Sequence, residues 1–418
     1  MERSSRIKGF YKLSMIERLE KVKEFADLSQ EDMDSFTKPT DKELIDRMVE
    51  NVVGKIEFPV GVATNFLVNG KDVLVPMAIE EPSVIAAASN AARMARDKGG
   101  FHTSSTDPVM IGQIQLTSVI DPYGARMKIL KKKKEILDLA AEQDPVLIKF
   151  GGGPRDINVR VLEGKETMVI IHLLVDTRDA MGANAVNTMV EALAPFIEEL
   201  TGGKVYLRIL SNLAIHRLSR AHAIFDKEAL GGEDVVDGII LEYECAKMDP
   251  FRCATHNKGV MNGVSAVVRA TGNDTRAVES GAHSYASMSG HYSPLTTWEK
   301  DANGDLVGTI EMPTAVGLIG GATKTHPTAR ACVKITGVKT GQELGEVIAA
   351  VGLAQNLGAL RALADEGIQK GHMRLHARNI AVNAGATGDE VDKVTKELIA
   401  KGKVRVDVAK EILEKIRQ

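Results

Sequence analysis

From residue 14 to 50 apolar side chains recur at helical spacing, with Met15, Ile16, Leu19 and Val22 on one face, and predict a helical N-terminal region. The pattern then becomes strand-like. Strands are expected at 60–67 and 73–76, joined by Asn69-Gly70, a favoured two-residue hairpin turn. An alanine-rich helix is expected next, over 83–97.

From 112 to 212 the order is strand 113–120, helix 123–143, strand 157–162, strand 168–175, helix 184–200 and strand 204–210. This β-α-β-β-α-β succession predicts a ferredoxin-like unit, an antiparallel sheet with two helices on one face. The fold class expected is therefore α+β, a large mixed α/β domain interrupted by this smaller one. The expected division is 1–110 for the first part of the large domain, 111–213 for the insertion, 214–372 for the second part and 373–418 for a helical tail. A long helix is placed at 344–365.

The tail opens with glycine and asparagine and carries two short amphipathic helices. Thr387 and Glu390 form a capping-box pattern, with Val391, Val394 and Leu398 inward; Ala409, Ile412, Leu413 and Ile416 align on the second helix. Two readings stand: a mobile flap, or a helical pair docked permanently.

Charge changes this picture by exclusion. With 53 basic against 56 acidic side chains the formal net charge is -3, so no global field favours nucleic acid or an anionic membrane. The only lysine run, Lys131 to Lys134, is read as the solvated face of the 123–143 helix. No run of 18 unbroken apolar residues and no signal-like N-terminal segment is seen, and the expected location is cytoplasmic. Cys245, Cys253 and Cys332 form no CxxC pair and are expected to serve packing. The ten histidines show no HExxH spacing, so no metal is expected, and His283 and His291 are read as structural.

The most concentrated chemistry lies between Thr255 and Glu279. A lysine, an aspartate, a histidine and three asparagines crowd there among three glycines. Lys258 and Asp274 are expected on glycine-containing turns, either as solvated loop charges or as groups lining a pocket. Upstream, Glu80-Glu81-Pro82-Ser83 opens a helix; its acids either complement the helix dipole or, if Glu81 faces a lysine, form a proton donor. No GxGxxG follows a strand, so a Rossmann fingerprint is absent. A dinucleotide could instead rest on Asp179 to Asn184, which opens the second helix of the small unit, unless Asp179 is simply its N-cap. His376 precedes the tail, where it is either structural or a carried general acid.

Read in order, Glu50 to Gly54, Glu80 to Val84, Asp179 to Asn184, His256 to Gly263, Thr271 to Asp274, Gly320 to Pro327 and Leu375 to Ala381 resemble class II 3-hydroxy-3-methylglutaryl-coenzyme A (HMG-CoA) reductase. The resemblance implies two successive hydride transfers from a nicotinamide cofactor, converting HMG-CoA to mevalonate and CoA. It implies Glu81 as proton donor, Lys258 at the oxyanion, Asp274 holding the lysine, and His376 protonating the departing thiolate. Ser83, Arg252 and Asn262 would bind substrate, and Asp144, Asp179, Met181, Gly182, Asn184 and Asn212 the dinucleotide. NAD is expected because the Asp144 carboxylate suits a free ribose 2′-OH and repels the phosphate of NADP, which remains the second choice. The resemblance further implies a homodimer with shared active sites, completed by Glu50 and Asn51, within a hexamer. Tyr11 stands where a related bacterial enzyme has an arginine for the CoA phosphate, and Lys12 follows it.

Two competing readings are set against this one. The same apparatus could reduce another CoA thioester. The small unit could instead bind RNA, but that module stacks bases on aromatics of its central strands, and 157–162 has none.

Overall fold

The computed structural model describes residues 3–364 and 377–417. Among the described residues ten strands run, in chain order, β1 Val60–Val68, β2 Lys71–Ala78, β3 Phe101–Ser105, β4 Val109–Thr117, β5 Gly153–Leu162, β6 Met168–Asp176, β7 Lys204–Ser211, β8 Leu218–Phe225, β9 Thr296–Lys300 and β10 Leu306–Pro313. They form two sheets. The six-stranded one has the order β2-β1-β3-β8-β10-β9, and the four-stranded one β5-β6-β4-β7. All described pairings are antiparallel except β1 with β3.

The β1–β2 hairpin turns on Asn69 and Gly70, with φ of 48° and 75°. Positive φ at both positions matches the strand twist and costs asparagine and glycine least. Across the large sheet lies helix Gly341–Ala364, whose side chains from Leu344 to Leu357 are almost all buried. By length and composition it could cross a membrane; here it fills the core of the large sheet with Phe66, Phe101, Phe225 and Trp298. Asn356, buried on this helix, accepts from the Trp298 indole at 2.8 Å and from Thr296 at 2.9 Å, so its burial is satisfied.

The four-stranded sheet has the strand order of a ferredoxin-like fold, with helices Pro122–Lys131, Lys133–Ala141 and Ala183–Thr201 enclosing its own apolar core. Two details differ from expectation. The helix predicted over 123–143 breaks at Lys132, whose ψ of 12° leaves the helical range. The strand at 157–162 is the edge, not the centre; the central strands β4 and β6 also lack aromatics. The lysines of the run stay on the surface, Lys133 pairing with Asp156 and Lys132 with Glu135.

The N-terminal region folds as helices Met15–Ala26, Gln30–Thr37 and Lys42–Met48. Val22 packs with Leu74 and Ile335, but Met15 and Ile16 are each 70% exposed, because the first turn lies outside that patch. Cys253 and Cys332 are buried as expected, whereas Cys245 is exposed on the outer face of helix Glu233–Met248. Burial pushes the Cys253 thiol up to about 11 and the Cys332 thiol up to about 12, leaving both unreactive at neutral pH.

In the tail, helices 377–383, Asp389–Ala400 and Val406–Arg417 enclose a core of their own around Val394, Leu398 and Ile412. Half of the expected capping box forms: Glu390 accepts from the Thr387 N–H at 2.9 Å. Arg417 grips the same carboxylate at 2.8 Å and clamps the two helices together. His376 lies outside the described residues.

Candidate active site

Lys258 does not stand on a turn. Helix Pro250–Ala270 runs unbroken through it, and the surrounding asparagine and glycines are core residues. Asn257 is buried, donating to the Ser293 carbonyl and accepting from the Leu295 N–H at 2.9 Å each. A Cβ on Gly263 would come within 2.8 Å of Gln355 Cβ, so this glycine lets the helix cross Gly341–Ala364 closely. The composition that resembles a loop is that of a tight helix crossing.

One stripe of that helix carries Lys258, Asn262 and Arg269, spaced by four and seven residues. It faces the junction between β2 and helix Pro82–Arg96. Lys258 Nζ stands 3.5 Å from Glu81 Oε2, and Arg269 donates to the Ala78 carbonyl at 3.3 Å. Glu81 occupies the N-cap position without capping, and Ser83 Oγ donates to its other oxygen at 3.2 Å. Asn262 is half-buried one turn along from Lys258.

Asp274 is elsewhere. It caps helix Thr275–Ala286 through the N–H groups of Arg276 and Ala277 and pairs with the Arg276 side chain at 3.0 Å, and the arginine holds its carboxyl below the usual range against the effect of burial. The Asn273 N–H bonds the Val268 carbonyl, so Asp274 sits level with the last turn of the Pro250–Ala270 helix. From Lys258 to Val268 that helix rises about 15 Å at 1.5 Å per residue. Within one chain the expected contact between Asp274 and Lys258 is not made.

The residue before Asp274, Asn273, reaches the loop at 177–182 through Gly317. Asn273 Oδ1 accepts from the Gly317 N–H at 2.8 Å, and a Cβ on Gly317 would lie 2.6 Å from the Asp179 carbonyl and the Met181 nitrogen. Asn212 joins this neighbourhood from the end of β7, its carbonyl lying where a Cβ of Gly281 would be. Gly182, with φ of 96°, is the N-cap of helix Ala183–Thr201, which has no side-chain cap, and Asn184 is exposed in its first turn. Asp179 is not that N-cap: its Oδ1 accepts from the Gly341 N–H at 2.8 Å. Asp144 caps the short helix Pro145–Lys149 through the Leu147 N–H at 2.9 Å. The Gly152 N–H that follows bonds the Leu147 carbonyl, and Arg178 reaches the Gly151 carbonyl, so the Asp144 turn and the 177–182 loop adjoin.

Arg252, on the first turn of the Pro250–Ala270 helix, faces Glu242 at 3.5 Å. Burial pushes Glu242 up to about 7, and the Arg252 guanidinium opposes that shift. Neither Glu242 nor the buried Arg217 beneath the 177–182 loop was singled out from sequence, since an isolated charged residue carries no motif. Among the described residues no cluster of histidine, cysteine and carboxylate side chains could hold a metal ion.

Comparison with known proteins gives these parts a family. The hydroxymethylglutaryl-coenzyme A reductase family matches residues 14–377. The 3-hydroxy-3-methylglutaryl-coenzyme A reductase of Archaeoglobus fulgidus is 62% identical over 99% of this chain and 95% of its own. The probable reductase of Borreliella burgdorferi is 35% identical over 98% of this chain and 95% of its own. Among solved structures, the class II reductase of Streptococcus pneumoniae bound to NADPH in open conformations is 40% identical, with a TM-score of 0.82 over 97% of this chain and 100% of that one. The chain belongs to the hydroxymethylglutaryl-coenzyme A reductase family, as a nicotinamide-dependent oxidoreductase of class II.

Proposed function

We propose that the chain interconverts HMG-CoA and mevalonate by two successive hydride transfers, with NAD preferred over NADP, at a site completed by a second copy of the chain. The observation that carries this reading is the approach of Lys258 Nζ to Glu81 Oε2 at 3.5 Å. A cation beside a carboxyl group is what a carbonyl needs when it takes hydride and its oxygen gathers charge.

The nicotinamide supplies a hydride to the thioester carbon and, later, a second to the aldehyde carbon. Lys258 holds the tetrahedral oxyanion formed first. Collapse of that thiohemiacetal re-forms the C=O bond and breaks the C–S bond, and His376 gives the leaving thiolate its proton. Glu81 then protonates the mevaldehyde oxygen, yielding mevalonate. Arg252, Ser83 and Asn262 hold the substrate, and Asp179, Met181, Gly182, Asn184 and Asn212 receive the dinucleotide. The uncapped helix end behind Gly182 suits its pyrophosphate. Asp144, adjoining that loop, accepts the ribose hydroxyl and disfavours a 2′-phosphate. The class II reductase of Streptococcus pneumoniae is described bound to NADPH, so the preference for NAD rests on Asp144 alone.

Sharing of the site between two copies is supported by the distance of Asp274 from Lys258. It is supported too by the segment at 49–58, where Val53 is fully exposed and Ile56 87% exposed, and by exposed Met248 and Phe251. Apolar side chains concentrated in this way are normally covered. In this reading Glu50 and Asn51 lie at the dimer interface, the dimers form a hexamer, and Lys12 stands by for the CoA phosphate. The domain division is that of an inserted small unit at 111–213 and a closing tail at 373–418. The location is cytoplasmic, with neither nucleic acid nor membrane as partner.

Steady-state assays with HMG-CoA and acetoacetyl-CoA test the proposal. Two NADH oxidised per HMG-CoA consumed, with mevalonate and CoA as products, is the expected result; turnover of acetoacetyl-CoA alone overturns it.

A further inference from the structure

Arg217 stands just before β8 and is only 4% exposed. Its guanidinium donates to Thr177 Oγ1 and the Ala180 carbonyl at 2.9 Å each, to the Met181 carbonyl at 3.4 Å, to the Arg178 carbonyl at 3.5 Å and to the Val316 carbonyl. Every one of these acceptors is neutral. The nearest carboxylates are engaged elsewhere: Asp176 by Arg155 and Arg178, Asp179 through one oxygen by the Gly341 N–H. Burial pushes the guanidinium down to about 10, and Asp179 and Asp176 oppose that only at longer range. A charge this deep is ordinarily matched by an ion pair.

Most of its acceptors belong to residues 177–181, the loop that runs into Gly182 and the uncapped end of helix Ala183–Thr201. Because a trans peptide is planar, turning the Met181 carbonyl inward to Arg217 turns the Gly182 N–H the opposite way. Gly182 itself is packed so that a Cβ would fall 2.3 Å from Thr177 Cγ2, and Thr177 is in turn held by Arg217. Thus the guanidinium and the loop glycine lock one conformation from two sides.

We propose that Arg217 is a positioning residue for the dinucleotide: it pre-forms the 177–182 loop, and its positive charge, which no carboxylate contacts directly, favours the pyrophosphate when the cofactor binds. This rests on the reading of that loop as the dinucleotide site. An anion at a preorganised helix end gains from a fixed cation behind it, without competing for the same hydrogen bonds.

The test compares full-length Arg217→Gln, Arg217→Lys and Gly182→Ala with the parent chain, well below each melting temperature. The Kd of NADH and of ADP-ribose and the KM of HMG-CoA are measured. Arg217→Gln should raise both dinucleotide-type Kd values by about tenfold or more, since each factor of ten is about 1.4 kcal/mol, while the KM of HMG-CoA stays nearly unchanged. Arg217→Lys, which keeps the charge and loses the fork of donors, should recover part of that affinity even where its melting temperature falls as far. Equal losses in the two variants in step with their melting temperatures, or an unchanged NADH Kd in Arg217→Gln alone, overturn the proposal. If Gly182→Ala also leaves NADH binding untouched, the loop itself has been misassigned and the underlying reading fails with it.

Discussion

Lys258 Nζ lies 3.5 Å from Glu81 Oε2, at the outer edge of hydrogen-bonding distance, with the lysine side chain 64% exposed and the glutamate 31%. An ion pair so exposed contributes little to stability. Yet both groups are carried on rigid elements, one mid-helix and one at a helix start, so their approach is fixed by the packing of the large sheet. A ligand oxygen entering between them would meet the lysine ammonium and the glutamate carboxyl group together.

Lys258→Ala should therefore leave stability almost unchanged, within about 0.5 kcal/mol for a surface substitution, while kcat falls on the order of 10² to 10³. Paired measurements of melting temperature and steady-state turnover check this. Turnover close to that of the parent chain would contradict the role given to the lysine.

Glu81→Gln separates the proton from the shape. The amide keeps an acceptor for Ser83 Oγ, now 3.2 Å from the carboxylate, but has no acidic proton. A loss of about 10² to 10⁴ in mevaldehyde reduction is expected, with substrate KM little altered. Mevaldehyde turnover by stopped-flow or steady-state absorbance decides it.

Glu242 should make stability fall as pH rises. Burial lifts its carboxyl from 4.5 to about 7, so the folded protein favours the protonated form. The contribution is full below about 4.5, is lost as pH rises through about 7, and is absent above. Melting temperatures across that window should decline less steeply in Glu242→Gln than in the parent. Identical slopes would show that Arg252 already offsets the burial of the carboxylate.

Asp144→Ala should shift cofactor use from NADH toward NADPH. The aspartate also caps the Pro145–Lys149 helix through the Leu147 N–H, so Asp144→Asn serves as the control that keeps the cap without the charge. Both substitutions should shift the ratio of kcat/KM values toward NADPH. An unchanged ratio would remove the carboxylate from the account of specificity.

Hydrophobic periodicity made most elements legible, since the alternation of β4 to β7 and the spacing of their helices leave little freedom in how the four-stranded sheet forms. It misplaced Lys258, because Gly259 and Gly263 read locally as turn residues and act instead as contact points between two helices. Only the partner helix Gly341–Ala364, some ninety residues on, distinguishes the two. Met15 and Ile16 have the helical spacing expected, but among the described residues nothing covers their turn, and each is 70% exposed. The pairing of Glu81 with Lys258 was legible only as a condition, that Glu81 should face a lysine, and the 3.5 Å approach meets it. Arg217 was not legible, because all but one of its acceptors are backbone carbonyls, and a sequence says nothing of which carbonyls converge.

The separation of Asp274 from Lys258 sets the sharpest test, because a site built from two copies can be reassembled from two broken ones. Lys258→Ala and Asp274→Asn chains, each inactive alone, are mixed under conditions that exchange subunits, and HMG-CoA-dependent NADH oxidation is followed. If the site is shared, a mixed dimer contains one site with both substitutions and one with neither. Recovery of activity toward about a quarter of the parent level, the share expected for random pairing of two-fold dimers, is the expected result. No recovery in samples where mixed dimers are demonstrably present would place both residues in one chain's site and contradict the shared arrangement.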